Sequence, residues 1–499
     1  MRKEQLDICI IGGGFTGAAA AISCLKRLDQ PFRLSIIELS AALGRGVAFG
    51  GHHPLHLLNV RARDLSIHAE RPRDFLHWAF HQIDQGENDA NLVEGLAHAF
   101  LPRQLFGEYV RQRLFEAVAI RDDVAFNIVN DSAFSLSRRN GRFQVHISGG
   151  GSLSADVVIL ATAYGQPDPS SSGPLAPFES LPRERVSKAK SIVLIGSGLT
   201  MVDAPFAVRR DGFSGIATVF SRRGQLPRPH AAKGVVSQEV GLPQSKHLSR
   251  LTAAVRIACE AAEAHGTPWQ AIINGLRPKI QEIWQALPVE EQARFLRHVR
   301  RYWDAYRHRL PSEVYERMQA EFNQGRAILV RGQVIDVVRA PRGFELTWKR
   351  RGRNKPETIL TDLAFDCSGY RPDLGSPVIR RVDQGLACAD AHELGLKVAR
   401  NGQVLRRDNS ETVLGCLRLD LSARVRCGRS PPYLRSCTRR MKRLQASPLC
   451  RPPVCKPRCL KRAETLAIDI HLDLGERDRS ASPGRRHENL VRHIEGCAW

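Results

Sequence analysis

Asp7-Ile8-Cys9-Ile10-Ile11-Gly12-Gly13-Gly14-Phe15-Thr16-Gly17-Ala18-Ala19-Ala20-Ala21 reads as an apolar strand, a glycine turn and the start of an alanine-rich helix. The glycines fit G-x-G-x-x-G at Gly12, Gly14 and Gly17. The first allows a tight turn, the second lets a pyrophosphate approach the backbone, and the third lets helix and strand pack closely. The helix start, at Phe15 and Thr16, offers free N–H groups and partial positive charge to phosphates. A second apolar run, Phe32-Arg33-Leu34-Ser35-Ile36-Ile37, ends in Glu38, where the ribose-binding acid of a dinucleotide fold belongs. A glycine turn of some other α/β protein would not need that acid at that distance, so dinucleotide binding is the stronger reading.

Outward from this unit, the 499 residues are enough for two or three domains. The formal net charge of +23 would ordinarily point to nucleic acid or an anionic surface. Much of it is local: residues 411–499 hold 19 Lys/Arg against 9 Asp/Glu, and seven of the twelve cysteines. No helix-turn-helix or aromatic-interleaved basic motif accompanies it, so neither nucleic acid nor a membrane is expected as partner. The other cysteines show no disulfide-framework spacing, which fits a reducing cytoplasm. No apolar run approaches the roughly 20 residues of a membrane span. The basic Met1-Arg2-Lys3 is not read as a signal peptide, because the glycine turn interrupts the apolar run behind it.

Further along, glycines at 44–50 and the His/Pro cluster at 54–60 mark loops that can pass near a cofactor, with His56 and Asn59 as candidates. Residues 75–80 are amphipathic. Residues 143–147 and 156–160 read as strands, the latter running into the turn Ala161-Thr162-Ala163-Tyr164-Gly165. A second signature comes next: Ser191-Ile192-Val193-Leu194-Ile195-Gly196-Ser197-Gly198-Leu199-Thr200-Met201-Val202-Asp203. Met201 stands at the third glycine position, so helix and strand should pack less closely there. The next strand, 217–220, ends in Ser221-Arg222-Arg223-Gly224 where an acid would stand. Arg222 and Arg223 can pair with a 2′-phosphate, favouring NADPH over NADH; two solvated surface arginines are the alternative. The first unit would hold FAD and the second NAD(P)H.

From about 245 to 325 the pattern is helical. Phe295, Val299, Tyr302/Trp303 and Tyr306 predict one apolar face. The opposite face carries Arg294, Arg297, His298, Arg301, Arg307 and His308, which either grip an anion or are simply solvated. Strands near 327–330 and 344–348 come after it. At Asp366-Cys367-Ser368-Gly369-Tyr370 the chain returns to the first domain, with Gly369 a candidate cofactor contact and Cys367 read as a buried small hydrophobe.

With both signatures present, the chain resembles the two-dinucleotide-binding flavoprotein superfamily, and in detail the FAD/NAD(P)-binding oxidoreductases of the YdhS-like group. The residues carrying the resemblance are 12–17, Gly46-Val47-Ala48-Phe49 with His56-Leu57-Leu58-Asn59-Val60, 101–109, 196–203, 221–224, Phe295-Leu296-Arg297-His298 with Arg307-His308-Arg309, and 366–369. It implies an α/β fold of two Rossmann-like domains, the NAD(P) domain inserted in the FAD domain, with a helical insertion. The expected boundaries are 1–165 and 361–413 for FAD, 166–360 for NAD(P), and 414–499 for a basic, disordered tail. The resemblance places His56, Asn59 and Thr162 near the flavin and supplies neither a substrate nor a catalytic residue.

The family's Ala-Thr-Gly turn is Ala161-Thr162-Ala163 here, and its closing segment, similar to G-x-L-W-E-I-T-A-V-P-E-I-R, is missing. Residues 427–436 can be encoded TGT GGG AGA TCA CCG CCG TAC CTG AGA TCC. In a shifted frame those bases, TGG GAG ATC ACC GCC GTA CCT GAG ATC, spell W-E-I-T-A-V-P-E-I. A frameshift near residues 405–425 is therefore expected, which makes Cys450, Cys455 and Cys459 an accident and not a metal site. The leading expectation is an FAD-dependent oxidoreductase taking hydride from NAD(P)H to the flavin, its small-molecule substrate unknown. A disulfide reductase would want a cysteine pair soon after the first fold, and residues 25–258 have no cysteine. The alternatives are a class B flavin monooxygenase resembling the N-hydroxylases, since Asp156-x3-Leu160-Ala161-Thr162-Ala163-Tyr164 is similar to their D-x3-L-A-T-G-Y turn, and a non-functional relative without the segment that closes the flavin site.

Overall fold

Two mixed sheets, each with a parallel core of the same winding, carry the chain. The computed structural model describes residues 5–39, 43–50, 56–83, 90–162, 173–177, 179, 181–231, 235–369, 374, 377–382, 387–399, 403–405 and 412–418. Strands of the first half are β1 (Leu6–Ile11), β2 (Phe32–Ile37), β3 (Ala125–Val129), β4 (Ala133–Arg139), β5 (Arg142–Ile147), β6 (Ser152–Ala155) and β7 (Val157–Leu160). Then come β8 (Ser191–Ile195), β9 (Ile216–Ser221), β10 (Ala327–Ala340), β11 (Gly343–Arg350), β12 (Pro356–Thr361) and β13 (Leu363–Asp366). The last are β14 (Gln403–Leu405) and β15 (Thr412–Arg418).

The first sheet runs β14-β15-β7-β1-β2-β3 and the second β12-β11-β10-β9-β8-β13. In each, the first-formed strand lies between the second and a much later one, β1 between β2 and β7, β8 between β9 and β13, all parallel. That reversal of strand order is where open α/β sheets bind ligands. Strands buried on both faces need apolar side chains throughout, which is why β1, β7 and β8 read as continuous apolar runs. An antiparallel excursion precedes the fourth strand in both halves: β4-β5-β6 in the first, β11-β12 in the second. All of β8 to β13 falls between β7 and β14, so the second Rossmann-like sheet is inserted in the sequence of the first.

The halves repeat even in their fastenings. Asp156, just before β7, accepts the Asp7 N–H at 2.8 Å. Asp362, just before β13, accepts the N–H groups of Lys190 at 2.8 Å and Ser191 at 3.0 Å. Burial alone would raise the Asp362 pKa, but these donors hold it below the usual range.

The region between β9 and β10 is helical, with helices Leu248–Ala264, Trp269–Leu276, Ile280–Ala286, Val289–Arg294, Arg300–Arg307 and Ser312–Asn323. Of the apolar face expected across 295–306, Phe295 packs on Trp284 and Tyr306 on Trp269. Residues Phe295–Val299 form a π-turn, which shifts the register of helix Arg300–Arg307 behind it. Tyr302 is consequently 46% exposed, while Trp303 packs with Ile272, Ile273 and Leu276. Among the described residues, no helix is long and apolar enough to cross a membrane. Ala163, Tyr164, Tyr370 and the whole of 419–499, with its cysteines and the proposed frame change at 427–436, lie outside the described residues.

Candidate functional site

At the carboxyl end of β1, Gly12 turns with φ +98° and donates its N–H to the Ile37 carbonyl at 2.9 Å. A Cβ on Gly12 would lie 2.4 Å from the Ala161 carbonyl oxygen, and one on Gly17 would lie 1.9 Å from that of Gly12. Only glycine lets β1, β7 and helix Phe15–Arg27 meet this closely. Gly14 caps the helix, and among the described residues no side chain caps its first N–H groups, those of Phe15, Thr16 and Gly17. Gly46 stands against Gly14, with a Cβ on either meeting the other's Cα at 3.0–3.3 Å, so backbone alone lines this approach. Glu38 leaves β2 above the turn and accepts the Gly13 N–H at 2.6 Å.

The second turn copies the first. Gly196 has φ +108°, donates to the Phe220 carbonyl at 2.8 Å, and would place a Cβ 2.4 Å from the Cys367 carbonyl oxygen. Gly198 caps helix Leu199–Arg210, so Leu199 and Thr200 occupy the places of Phe15 and Thr16. A Cβ on Gly198 would meet nothing within 4 Å, which leaves room for a ligand. Met201 replaces the contact glycine and its side chain is buried. Ser221 takes the position of Glu38: Ser197 Oγ lies 2.8 Å from Ser221 Oγ and 2.6 Å from the Gln225 carbonyl.

No acid therefore awaits the ribose of a second dinucleotide. Cations stand there instead. Arg222 is exposed and its charge acts on Arg301, while Arg331, in register with Ser221 on β10, lies against Gly224. The Arg223 guanidinium is occupied, donating to the carbonyls of Arg297 at 2.7 Å and His298 at 2.9 Å in the π-turn and lying over the Tyr302 ring. Of the two arginines singled out in the sequence, only Arg222 keeps its fork available.

Residues 9–165 match the family model of FAD-NAD(P)-binding proteins. They form an FAD-NAD(P)-binding domain. The whole fold is similar to that of the ornithine N-hydroxylase of Kutzneria sp. 744, solved with reduced FAD, NADP+ and L-ornithine, with a TM-score of 0.56 at 14% identity over 88% of this chain and 100% of that one. It is also similar to the reduced ornithine hydroxylase of Pseudomonas aeruginosa, with a TM-score of 0.55 at 14% identity, covering 88% and 100%. The L-lysine 6-monooxygenase of Pseudomonas syringae gives 0.53 at 15% identity, covering 89% and 99%. At these identities the likeness is one of fold. No curated protein matches the sequence.

Within the FAD-NAD(P)-binding domain, the Phe15 ring packs against Phe49 and Phe106. What Phe15 can offer a phosphate is its backbone N–H. His56 is buried, and its carbonyl accepts the Arg103 N–H at 2.9 Å. Arg103 continues across the seam to Asp203 of the second half at 2.7 Å. Burial pushes the Asp203 carboxyl up and Arg103 opposes the shift. Asn59 also bridges the halves: its carbonyl lies 2.9 Å from His230 Nε2. Burial, then the Arg309 charge, push His230 down to about 3, so it is a neutral donor here. Thr162 follows the Ala161 carbonyl beside Gly12, and Gly369 turns with φ +91° just after the Cys367 carbonyl beside Gly196. The Cys367 thiol is buried and its pKa pushed far up, so it serves packing and not redox chemistry.

Sequence reasoning did not single out Arg61 or Arg277, and met Arg309 only within a family motif. Each is an ordinary basic residue in its local context, and only tertiary structure gathers them.

Proposed function

We propose that the chain is an FAD-dependent oxidoreductase that uses NAD(P)H, with NADPH preferred, on a small-molecule substrate. The repeated glycine turn at residues 12–17 and 196–201, each at a strand-order reversal, carries this reading. The residues fit both groups: uncapped helix starts for the pyrophosphates, Glu38 for the FAD ribose, and Arg222 with Arg331 for a 2′-phosphate. When bound, the flavin supplies the redox chemistry, with reducing equivalents from NAD(P)H. The chain's own work is to orient the two dinucleotides, and the Asn59–His230 and Arg103–Asp203 contacts hold the halves to that task. Cys9, Cys259 and Cys367 are free thiols, which supports a reducing compartment such as the cytoplasm.

An N-hydroxylating monooxygenase is the second reading. It is favoured by the shared fold and by the turn that opens with Asp156 and recurs at Asp362. Hydroxylated product accompanying NADPH oxidation, and not peroxide alone, would select it.

The test is a visible spectrum of the purified full-length chain before and after anaerobic NADPH. Flavin bands that bleach support the proposal. A protein that stays colourless after incubation with FAD would be the non-functional relative. Arg222→Ala should raise the NADPH concentration for half-maximal bleaching about tenfold, one charge-assisted contact, and barely alter that for NADH. Equal effects on both would remove Arg222 from the 2′-phosphate site.

A further inference from the structure

Arg309 is the largest fully buried side chain among the described residues, at 2% exposure. Its Nη2 donates to Asn274 Oδ1 at 2.5 Å and its guanidinium lies over the Trp269 ring, yet Nε has no partner. Arg277, just past the end of helix Trp269–Leu276, likewise has a buried Nε without a partner. Arg61 reaches in from the FAD-NAD(P)-binding domain, over the Phe100 ring, with Nη2 donating to the Ala231 carbonyl at 2.8 Å. Burial first, then the charges of Arg277 and Arg61, bring Arg309 down to about 9, still charged at neutral pH. The same three charges help keep His230 neutral.

Among the described residues, no carboxylate forms an ion pair with Arg61, Arg277 or Arg309. Asp64 and Glu313 act on Arg61 only from a distance, and Asp304 belongs to His308, 3.9 Å away. A buried guanidinium without a counter-charge is costly, and here buried Arg309 has the half-buried Arg61 and Arg277 as its charged neighbours. Asn274 and Trp269 orient the deepest of them, as in a built site and not a chance crowding.

We propose that Arg61, Arg277 and Arg309 bind the oxyanion of an acidic small-molecule substrate, one bearing more than one negative charge as a polycarboxylate or phosphate ester does. This rests on the oxidoreductase reading for the word substrate. The phosphates of the two dinucleotides have their own places at residues 12–17, 196–201 and Arg222, none of them in this cluster. Planar guanidinium forks suit carboxylate and phosphate oxygens, and the Nε–H donors of Arg277 and Arg309, without acceptors, supply what such a group needs.

The experiment uses the full-length protein loaded with FAD. Thermal unfolding is followed against inorganic phosphate, citrate and chloride at equal ionic strength, with calorimetric titration of whichever anion stabilises. Phosphate or citrate should raise Tm saturably above chloride, and Arg277→Gln and Arg61→Gln should each weaken that anion about tenfold or more. Arg277→Gln should also unfold at a higher temperature than wild type without anion, because a repulsion is relieved. If the variants keep the wild-type response, or no anion exceeds chloride, the proposal falls. If the variants instead raise the NADPH needed for half-bleaching, the cluster holds a cofactor phosphate and the substrate assignment is overturned. Failure of wild type to bleach would sink the oxidoreductase reading alone, since anion binding is measured without NADPH.

Discussion

Gly17→Ala should yield a destabilised protein that no longer retains flavin, whereas Gly198→Ala should fold normally and bind NADPH poorly. The two glycines share a motif but not a constraint. A methyl at Gly17 would sit 1.9 Å from the Gly12 carbonyl oxygen, backbone against backbone, with no flexible side chain to yield. Helix Phe15–Arg27 must then retreat from β1, at about 1–3 kcal/mol or more, and its N–H groups leave the place where a pyrophosphate would sit. A methyl at Gly198 meets nothing within 4 Å and its φ of −85° suits any residue. It would occupy the ligand's own space. Flavin content, Tm and the NADPH concentration for half-bleaching separate the cases. A Gly17→Ala protein with normal flavin content would remove the close-approach argument.

Asp74→Ala should be the most damaging single change outside the glycine turns, costing about 3–5 kcal/mol and lowering Tm by roughly 10 °C. Asp74 is buried and accepts from the Tyr109 hydroxyl at 2.9 Å and Arg113 Nε at 2.8 Å, with Arg71 at 3.2 Å. Its removal leaves Arg113 with Glu116 alone and takes the acceptor of the Tyr109 hydroxyl, beneath the ring cluster that joins Phe75, Phe106 and Phe15. Asp74→Asn keeps an acceptor and should lose roughly half as much.

The same network makes the fold sensitive to acid. Lys26 Nζ donates to His68 Nδ1 at 2.8 Å, so the proton sits on Nε2 and the ring is neutral. Burial, then Lys26 and Arg71, bring His68 down to about 4. The unfolded chain binds that proton near pH 6.5, so stability present above it is lost as pH falls toward about 4. His230, also neutral, contributes over the same range and down to about 3. Burial would raise Asp74, but Arg113 and Tyr109 hold it below its ordinary value. Its contribution is present above that ordinary value and goes as pH falls through its lower, folded pKa. Chemical denaturation at several pH values should show the slope, and His68→Asn should flatten it between pH 6.5 and about 4. An unchanged slope would mean that His68 is already charged in the native protein.

Both glycine turns were legible because each is local: a strand, three spaced positions and a helix lie within fifteen consecutive residues. Glu38 followed from its distance to the turn, and the absence of an acid at Ser221 was equally visible. Periodicity picked out the packed residues Phe295, Trp303 and Tyr306 but not the π-turn at Phe295–Val299, whose inserted residue no apolar spacing announces. Arg223 looked equivalent to Arg222 until those π-turn carbonyls were seen to take its donors. The arginine cluster was illegible for another reason. Arg61, Arg277 and Arg309 come from three distant segments, and their meaning lies in the carboxylates that are not beside them.

Strand β15 has a consequence for how the protein is made. Cys416 on β15 pairs with Val158 on β7, so the first sheet waits for its neighbour until the entire inserted half has left the ribosome. At about 5–20 residues per second, that is a delay of order 10–50 s. Throughout it β7 is a bare hydrogen-bonding edge of four buried apolar residues, a template for any passing strand. The inserted half waits as well, since β8 pairs with the much later β13, but it is complete before β15 is made. The nascent chain therefore matures from the middle outward, with its earliest-made sheet the last to be sealed.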